Sequence, residues 1–289
     1  MAGLGAGITA NVAAAFDDAA DRYDSIGPQF AGPIAARLVD LAGLRPGGRV
    51  LDVGCGSGAV LIRAARAVGP GGHVTGLDFA PRMLVRAERE AVDQGVGDRV
   101  TLRQGDAASP PAEPASFDAV LASLVLYLLA DPAAALARWR ELLTPGGTLA
   151  FSRGAGPDSR WSPVIAAVDA YAAGAVGFES YVHRPGPVSG TEQMLAACGY
   201  TSITSTVETV TVRYDSPQQW WEASVAEGPW VTWRHIPADR LADARAEAIS
   251  MAEDLREPDG SLLRRIQMAY LIARRPAAGD PVAGQPELT

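Results

Sequence analysis

The sequence predicts an α/β fold, a mostly parallel sheet with helices on both faces, and three observations predict it. From Arg49 to Ser152, short β-rich runs alternate with segments of helical periodicity. One glycine-dense turn joins the first such run to the first helix. A composition of 48% apolar and 20% charged residues over 289 positions can fill a sizeable core. Strand and helix alternation of this kind implies right-handed crossovers, which place helices over both faces of a parallel sheet.

In chain order, residues 1–48 read as an N-terminal helical cap and 49–153 as the core. Arg49–Val53 reads as a buried strand, Ala59–Val68 as a helix and His73–Asp78 as a strand. Pro81–Gln94 is a helix opened by proline, and Arg99–Gln104 a strand. Phe117–Leu126 is an apolar run. Asp131–Leu143 is a helix capped by Asp131 with Pro132 in its first position, and Thr148–Ser152 is a strand after the Pro145-Gly146-Gly147 turn.

After Arg153 the rhythm breaks. Residues 154–188, rich in glycine, proline and aromatics, read as a lid insertion with one helix, Pro163–Ala173. The rest of the core, 189–275, holds a helix at Ser189–Ala197 and a threonine-rich, β-branched run at Thr201–Tyr214. An aromatic helical insertion over about 216–257 follows, with a helix from Ala238. Leu262–Ala273 reads as the last strand, able to form a hairpin with Thr201–Tyr214, which suits an antiparallel edge. The tail, 276–289, reads as disordered.

All 25 basic residues are arginine. Without lysine there is no Walker-type phosphate lysine, Schiff base or lysine general base. A net charge of −8 argues against nucleic-acid or anionic-membrane partners and toward a small molecule. The two cysteines, Cys55 and Cys198, make no disulfide framework and no structural zinc site, and a cytoplasmic location fits best. Residues 1–15 lack the basic start of an export signal, and no apolar stretch of ~20 residues suggests a membrane span.

The segment that points to chemistry is Leu51-Asp52-Val53-Gly54-Cys55-Gly56-Ser57-Gly58. Its glycines permit a tight strand-to-helix turn, bring amides close to a ligand and aim a helix N-terminus at it. Gly54, Gly56 and Ala59 also satisfy the looser dinucleotide pattern, and Asp78 stands ~20 residues on, where that pattern places its ribose acid. On that reading the protein is an NAD-dependent oxidoreductase. Asp52 weighs the other way, because a pyrophosphate gains nothing from an adjacent carboxylate whereas a cationic cofactor does. Gly105-Asp106 brings a third acid to the same edge of the sheet.

On these residues the segment from about Arg49 to Arg153 resembles the class I S-adenosylmethionine-dependent methyltransferases, particularly the ubiquinone/menaquinone-type branch with its natural-product enzymes. The resemblance implies a Rossmann-like sheet of seven strands with the last antiparallel, and S-adenosyl-L-methionine as cofactor. It assigns Asp52, Gly54, Cys55, Gly56 and Gly58 to the methionine part, and Asp78, with Phe79 and Met83 beside it, to the ribose side. Gly105, Asp106 and Ala107 fall to the adenine, and Ser123 and Leu124 flank the cofactor amino group. Tyr23, in the run Phe16-Asp17…Tyr23-Asp24, matches the N-terminal helix that closes over the cofactor. Many relatives carry a histidine after the fourth strand, where this chain has Val125-Leu126-Tyr127.

The expected reaction is methyl transfer to a carbon or oxygen of a small molecule of aromatic, indole, terpenoid or polyketide type, by a monomer or homodimer without a metal. His183 is the first candidate base, then Tyr181 and Tyr127. Arg153, Arg160 and Arg184 are candidates to hold an acidic substrate. Trp220, Trp221, Trp230 and Trp233, four within fourteen residues, suggest an aromatic pocket as an alternative to packing. A cyclase that binds the cofactor without consuming it satisfies the same motif.

Overall fold

A computed structural model describes residues 14–21, 23, 30–172, 186–226, 233, 235–277 and 279. The chain forms two compact units. One, the core unit, comprises 35–153, 186–206 and 269–289; the second comprises 1–34, 154–185 and 207–268.

The elements are α1 (Ala31–Ala42), β1 (Arg49–Val53), α2 (Ala59–Val68), β2 (His73–Asp78), α3 (Pro81–Asp93), β3 (Val100–Gln104) and β4 (Phe117–Ser123), then α4 (Pro132–Leu142) and β5 (Leu143–Gly156). After them come α5 (Ser162–Tyr171), α6 (Val188–Ala197), β6 (Thr201–Tyr214), α7 (Pro217–Ala226), α8 (Leu241–Glu253) and β7 (Leu262–Arg274). The expected elements reappear within a few residues at each end. Asp131 caps α4 by accepting from the Ala134 amide at 2.9 Å, and prolines open α3 and α4 where a missing N–H costs nothing. Pro145-Gly146-Gly147 lies inside β5 rather than before it. Phe117 pairs with Leu143 but Ala119 with Thr148, so β5 carries three more residues than β4 over that stretch, and Gly146 takes φ +76° within it.

The seven strands run in the order β3-β2-β1-β4-β5-β7-β6. From β3 to β5 every pairing is parallel, with Val53 beside Leu77, Asp78 beside Gln104 and Ser123 beside Ser152. The C-terminal ends of these strands therefore share one sheet edge. β7 runs against its neighbours. The Gly146 amide donates to the Arg275 carbonyl and the Arg275 amide to the Gly147 carbonyl, so the end of β7 meets the start of β5. The Thr201 hydroxyl at the start of β6 likewise reaches the Arg274 carbonyl. Inner strands such as β1 and β4 are apolar and buried, while β6, on the edge, alternates threonine and β-branched residues between solvent and partial cover.

In the second unit, the segments read as separate insertions share one hydrophobic cluster. Trp161, Val164 and Val168 from the first pack with Trp220, Trp221, Trp233, Ala244 and Ala248 from the second. Trp221 stacks on Trp233 at 5.3 Å between ring centroids, and Trp161 lies 4.7 Å from Trp220. Three of the four clustered tryptophans are thus interior packing and not an open stacking platform, because their large apolar rings supply the core of a small unit. Trp230 lies outside the described residues, as does all but one position of the tail beyond 277. Among the described residues no helix is long and apolar enough to cross a membrane.

Candidate cofactor site

The site is built where β1, β2, β3 and β4 end. β1 stops at Val53, and the amides of Gly54 and Cys55 both donate to the Leu77 carbonyl at the end of β2, at 2.7 and 3.0 Å. The chain then turns through Gly54, Gly56 and Gly58, at φ +67°, +52° and +98°, before α2 begins. A side chain is excluded at Gly54, where a Cβ would lie 2.5 Å from the Val125 Cγ2. At Gly56 a Cβ would meet nothing within 4 Å, so the turn is glycine there for its conformation and faces open space.

Asp78 ends β2 and binds this turn. Its Oδ2 accepts from the Gly56 amide at 2.8 Å and its Oδ1 from the Ala80 amide at 2.9 Å. Each oxygen retains capacity for a second donor. Phe79 beside it is exposed, and Met83 in the first turn of α3 is buried. The Gly105 amide donates to the Asp78 carbonyl. Asp106 accepts from the Ala108 amide at 2.8 Å, and the Trp139 indole donates to the Ala107 carbonyl at 2.7 Å. Ser123 shares a hydroxyl hydrogen bond with Ser152, and Leu124 is held at φ +60° with its amide on the Ser152 carbonyl. The partners that shape the turn, Val125 and Trp139, escape sequence reading because nothing local marks contacts across 71 and 32 positions.

Asp52 is the least ordinary group. Its carboxylate is 1% exposed and neither oxygen meets a donor in full hydrogen-bond geometry; the Leu61 backbone is the one group that stands near enough to favour its charged form by hydrogen bonding. Burial, and then the nearby Asp78 carboxylate, raise its pKa well above the usual carboxylate range. Burial also raises Asp78, and burial, then the Asp52 and Asp78 carboxylates, keep the Cys55 thiol protonated. An orphaned buried carboxylate beside a glycine cradle suits a cationic ligand, which would supply the missing charge and donors.

The other sequence candidates separate. Tyr23 belongs to the second unit, its ring edge-on to Phe16 at 6.0 Å. Tyr127 is in the core unit, and burial pushes its phenol up to about 12. His183, Tyr181 and Arg184 lie outside the described residues. Arg153 is buried and donates to the Thr191 hydroxyl and the Gly186 carbonyl, while Arg160 pairs with Glu257 at 2.7 Å and donates to the Leu255 carbonyl. Both arginines therefore hold the protein together and are not held in reserve for an acidic substrate. His235 is exposed, and His73 meets the Thr101 hydroxyl at the start of β2. Among the described residues no group of three or more His, Cys, Asp or Glu could hold a metal ion.

Comparison with known proteins decides between the two readings of the glycine turn. A methyltransferase domain family matches residues 44–172. Nocamycin O-methyltransferase of Saccharothrix syringae is 36% identical over 282 residues, covering 92% of this chain and 99% of that protein. The chain belongs to the class I S-adenosylmethionine-dependent methyltransferases. Aklanonic acid methyltransferase DauC of Streptomyces sp. (strain C5) is 42% identical over 141 residues, 49% of this chain and 64% of that protein, so the chain spans slightly less than two thirds of its length. In fold, a putative methyltransferase of Bacillus halodurans C-125 superposes with a TM-score of 0.58 at 20% identity, over 85% of this chain and all of that one. The sheet agrees: this methyltransferase inserts β7 between β5 and β6, unlike the 3-2-1-4-5-6 order of dinucleotide-binding sheets.

The cofactor is S-adenosyl-L-methionine, and the expected contacts can be tested on two acids. Asp78→Ala removes a charge-assisted acceptor for ribose hydroxyls and also frees the Gly56 amide, so S-adenosylmethionine affinity should fall by ~1.5–3 kcal/mol, roughly ten- to a hundredfold. Unchanged affinity by calorimetry would refute the assignment. Asp52 makes a prediction about pH. Because its folded-state pKa is raised, its contribution favours the fold most below the unfolded-state pKa and is lost as pH rises toward the folded one. Asp52→Asn should therefore raise the ligand-free melting temperature at neutral pH, the gain shrinking as pH falls, while weakening cofactor binding. A melting temperature lowered at every pH would contradict this.

Proposed function

We propose that this methyltransferase transfers a methyl group to an oxygen of a small, polyketide-like natural product. The observation that carries the reading is the extent of the match to nocamycin O-methyltransferase, which runs past the shared methyltransferase domain over almost the whole chain. Similarity confined to cofactor binding would not extend through the second unit. The second relative is likewise named as a methyltransferase of a small molecule, aklanonic acid.

S-adenosyl-L-methionine supplies an electrophilic methyl group on a sulfonium, which already provides the driving force. The protein's task is proximity and orientation. The glycine turn and the acids Asp52, Asp78 and Asp106 bind, with Ser123 and Leu124 flanking the amino end. A hydroxyl acceptor must lose its proton. Tyr127, with its phenol at about 12, is protonated at neutral pH and suits holding a substrate oxygen better than accepting a proton. We propose His183 as the base, with Tyr181 as the next candidate. Replacing His183 should lower turnover far more than it lowers cofactor affinity; equal losses in both would argue against a base.

The test is incubation of polyketide extracts with the protein and methyl-labelled cofactor, read by mass spectrometry and NMR. A gain of one labelled methyl on oxygen is the expected result. Label on carbon would correct the acceptor atom, and isomerisation without label would mean that the cofactor is bound but not consumed.

A further inference from the structure

Leu124 holds a backbone conformation that its own side chain disfavours. It stands at φ +60°, with Ala115 and Ser202 the other non-glycine residues in the left-handed region among those described, and of the three only Leu124 follows a strand at the sheet edge that carries the glycine turn. That conformation is costly for a leucine, and such outliers persist only where their surroundings hold them. Ser152 supplies the hold. It lies opposite Ser123 at the end of the β4–β5 pairing and is fully buried. Its carbonyl accepts from the Leu124 amide at 3.1 Å, and its hydroxyl shares a 3.0 Å hydrogen bond with the Ser123 hydroxyl. The turn that leaves β4 is therefore fixed twice, once through the backbone and once through a side chain. The Leu124 carbonyl is left over. Among the described residues no donor reaches it, whereas the next two carbonyls, of Val125 and Leu126, accept from the Leu128 and Leu129 amides. An open acceptor at the edge to which β1 and β2 bring Asp52 and Asp78 suits a cationic group with several donors, and the ammonium of S-adenosylmethionine is such a group.

We propose that Ser152 is a positioning residue for cofactor recognition: its carbonyl and hydroxyl hold Ser123 and Leu124 so that the Leu124 carbonyl accepts from the ammonium of S-adenosylmethionine. Ser152 acts through these two residues. A turn set before the cofactor arrives does not have to be ordered on binding, which spares affinity. The inference rests on Ser123 and Leu124 flanking the amino end of the cofactor.

Calorimetry on the full-length protein compares two ligands, S-adenosylhomocysteine and its deamino analogue, which keeps the carboxylate and the adenosine. Their affinity ratio isolates the ammonium. Wild type should favour S-adenosylhomocysteine by about tenfold or more, as expected for a hydrogen bond from a charged group. Ser152→Ala should cut that preference about three- to tenfold by weakening S-adenosylhomocysteine, while the deamino analogue binds as it does to wild type. A general loss of folded protein would weaken both ligands and so does not imitate this result. Ser123→Ala breaks the same hydroxyl pair and should have the same selective effect, with no further loss in the double variant. A preference that Ser152→Ala leaves intact, equal weakening of both ligands, or additive losses in the double variant overturns the positioning role and leaves Ser123 and Leu124 flanking the amino end. A wild type without any preference would overturn that placement of the amino end, and the proposal with it.

Discussion

Gly54→Ala should abolish useful cofactor binding and destabilise the protein. At φ +67° an alanine costs ~1–2 kcal/mol in the left-handed region. Its Cβ would sit 2.5 Å from Cγ2 of Val125, a buried β-branched side chain that cannot swing aside freely, adding ~1–3 kcal/mol of overpacking. Relief by moving the turn is no escape, because the Gly54 and Cys55 amides are both tied to the Leu77 carbonyl and Gly56 to Asp78. The steric part can be isolated. Val125→Ala combined with Gly54→Ala should recover much of the overpacking cost but none of the conformational cost, so the two changes should be non-additive in a denaturation cycle. Strict additivity would show that the Val125 contact does not shape the turn.

Trp161→Ala should be the most damaging change away from the cofactor. The ring is 1% exposed, lies 4.7 Å from Trp220, and its indole donates to the Leu263 carbonyl. Truncation of such a side chain costs ~3–5 kcal/mol, since the cavity adds to the lost transfer energy. Trp161→Phe, which keeps most of the apolar contact, should cost clearly less. Measured by urea unfolding, a loss under ~1 kcal/mol for the alanine variant would mean that the tryptophan cluster is not the core of the second unit.

The sites of these two changes differ in how far sequence reading reaches them. The glycine turn is legible because its chemistry is local: three glycines at alternate positions after an acid, a following helix, and an acid at the end of the next strand leave few backbone conformations and few ligands that fit. The strands and helices are legible for the same reason, since periods of 2 and 3.6 and capping residues such as Asp131 act over a few positions. Asp52 marks the limit. Its type and place are visible in the sequence, but its burial without a donor in full hydrogen-bond geometry is a fact about what surrounds it.

The tertiary structure alone decided the rest. The sequence by itself determined the α/β class, the glycine turn and the acids expected to hold the cofactor. Only the fold joined segments 154–185 and 207–268 into one unit, turned three conspicuous tryptophans from a candidate pocket lining into a packed interior, and showed Arg153 and Arg160 bound to their own chain. Contacts of this kind form between positions far apart in sequence, and their partners are chosen by shape, burial and hydrogen-bond satisfaction, which leave no periodic trace along the chain.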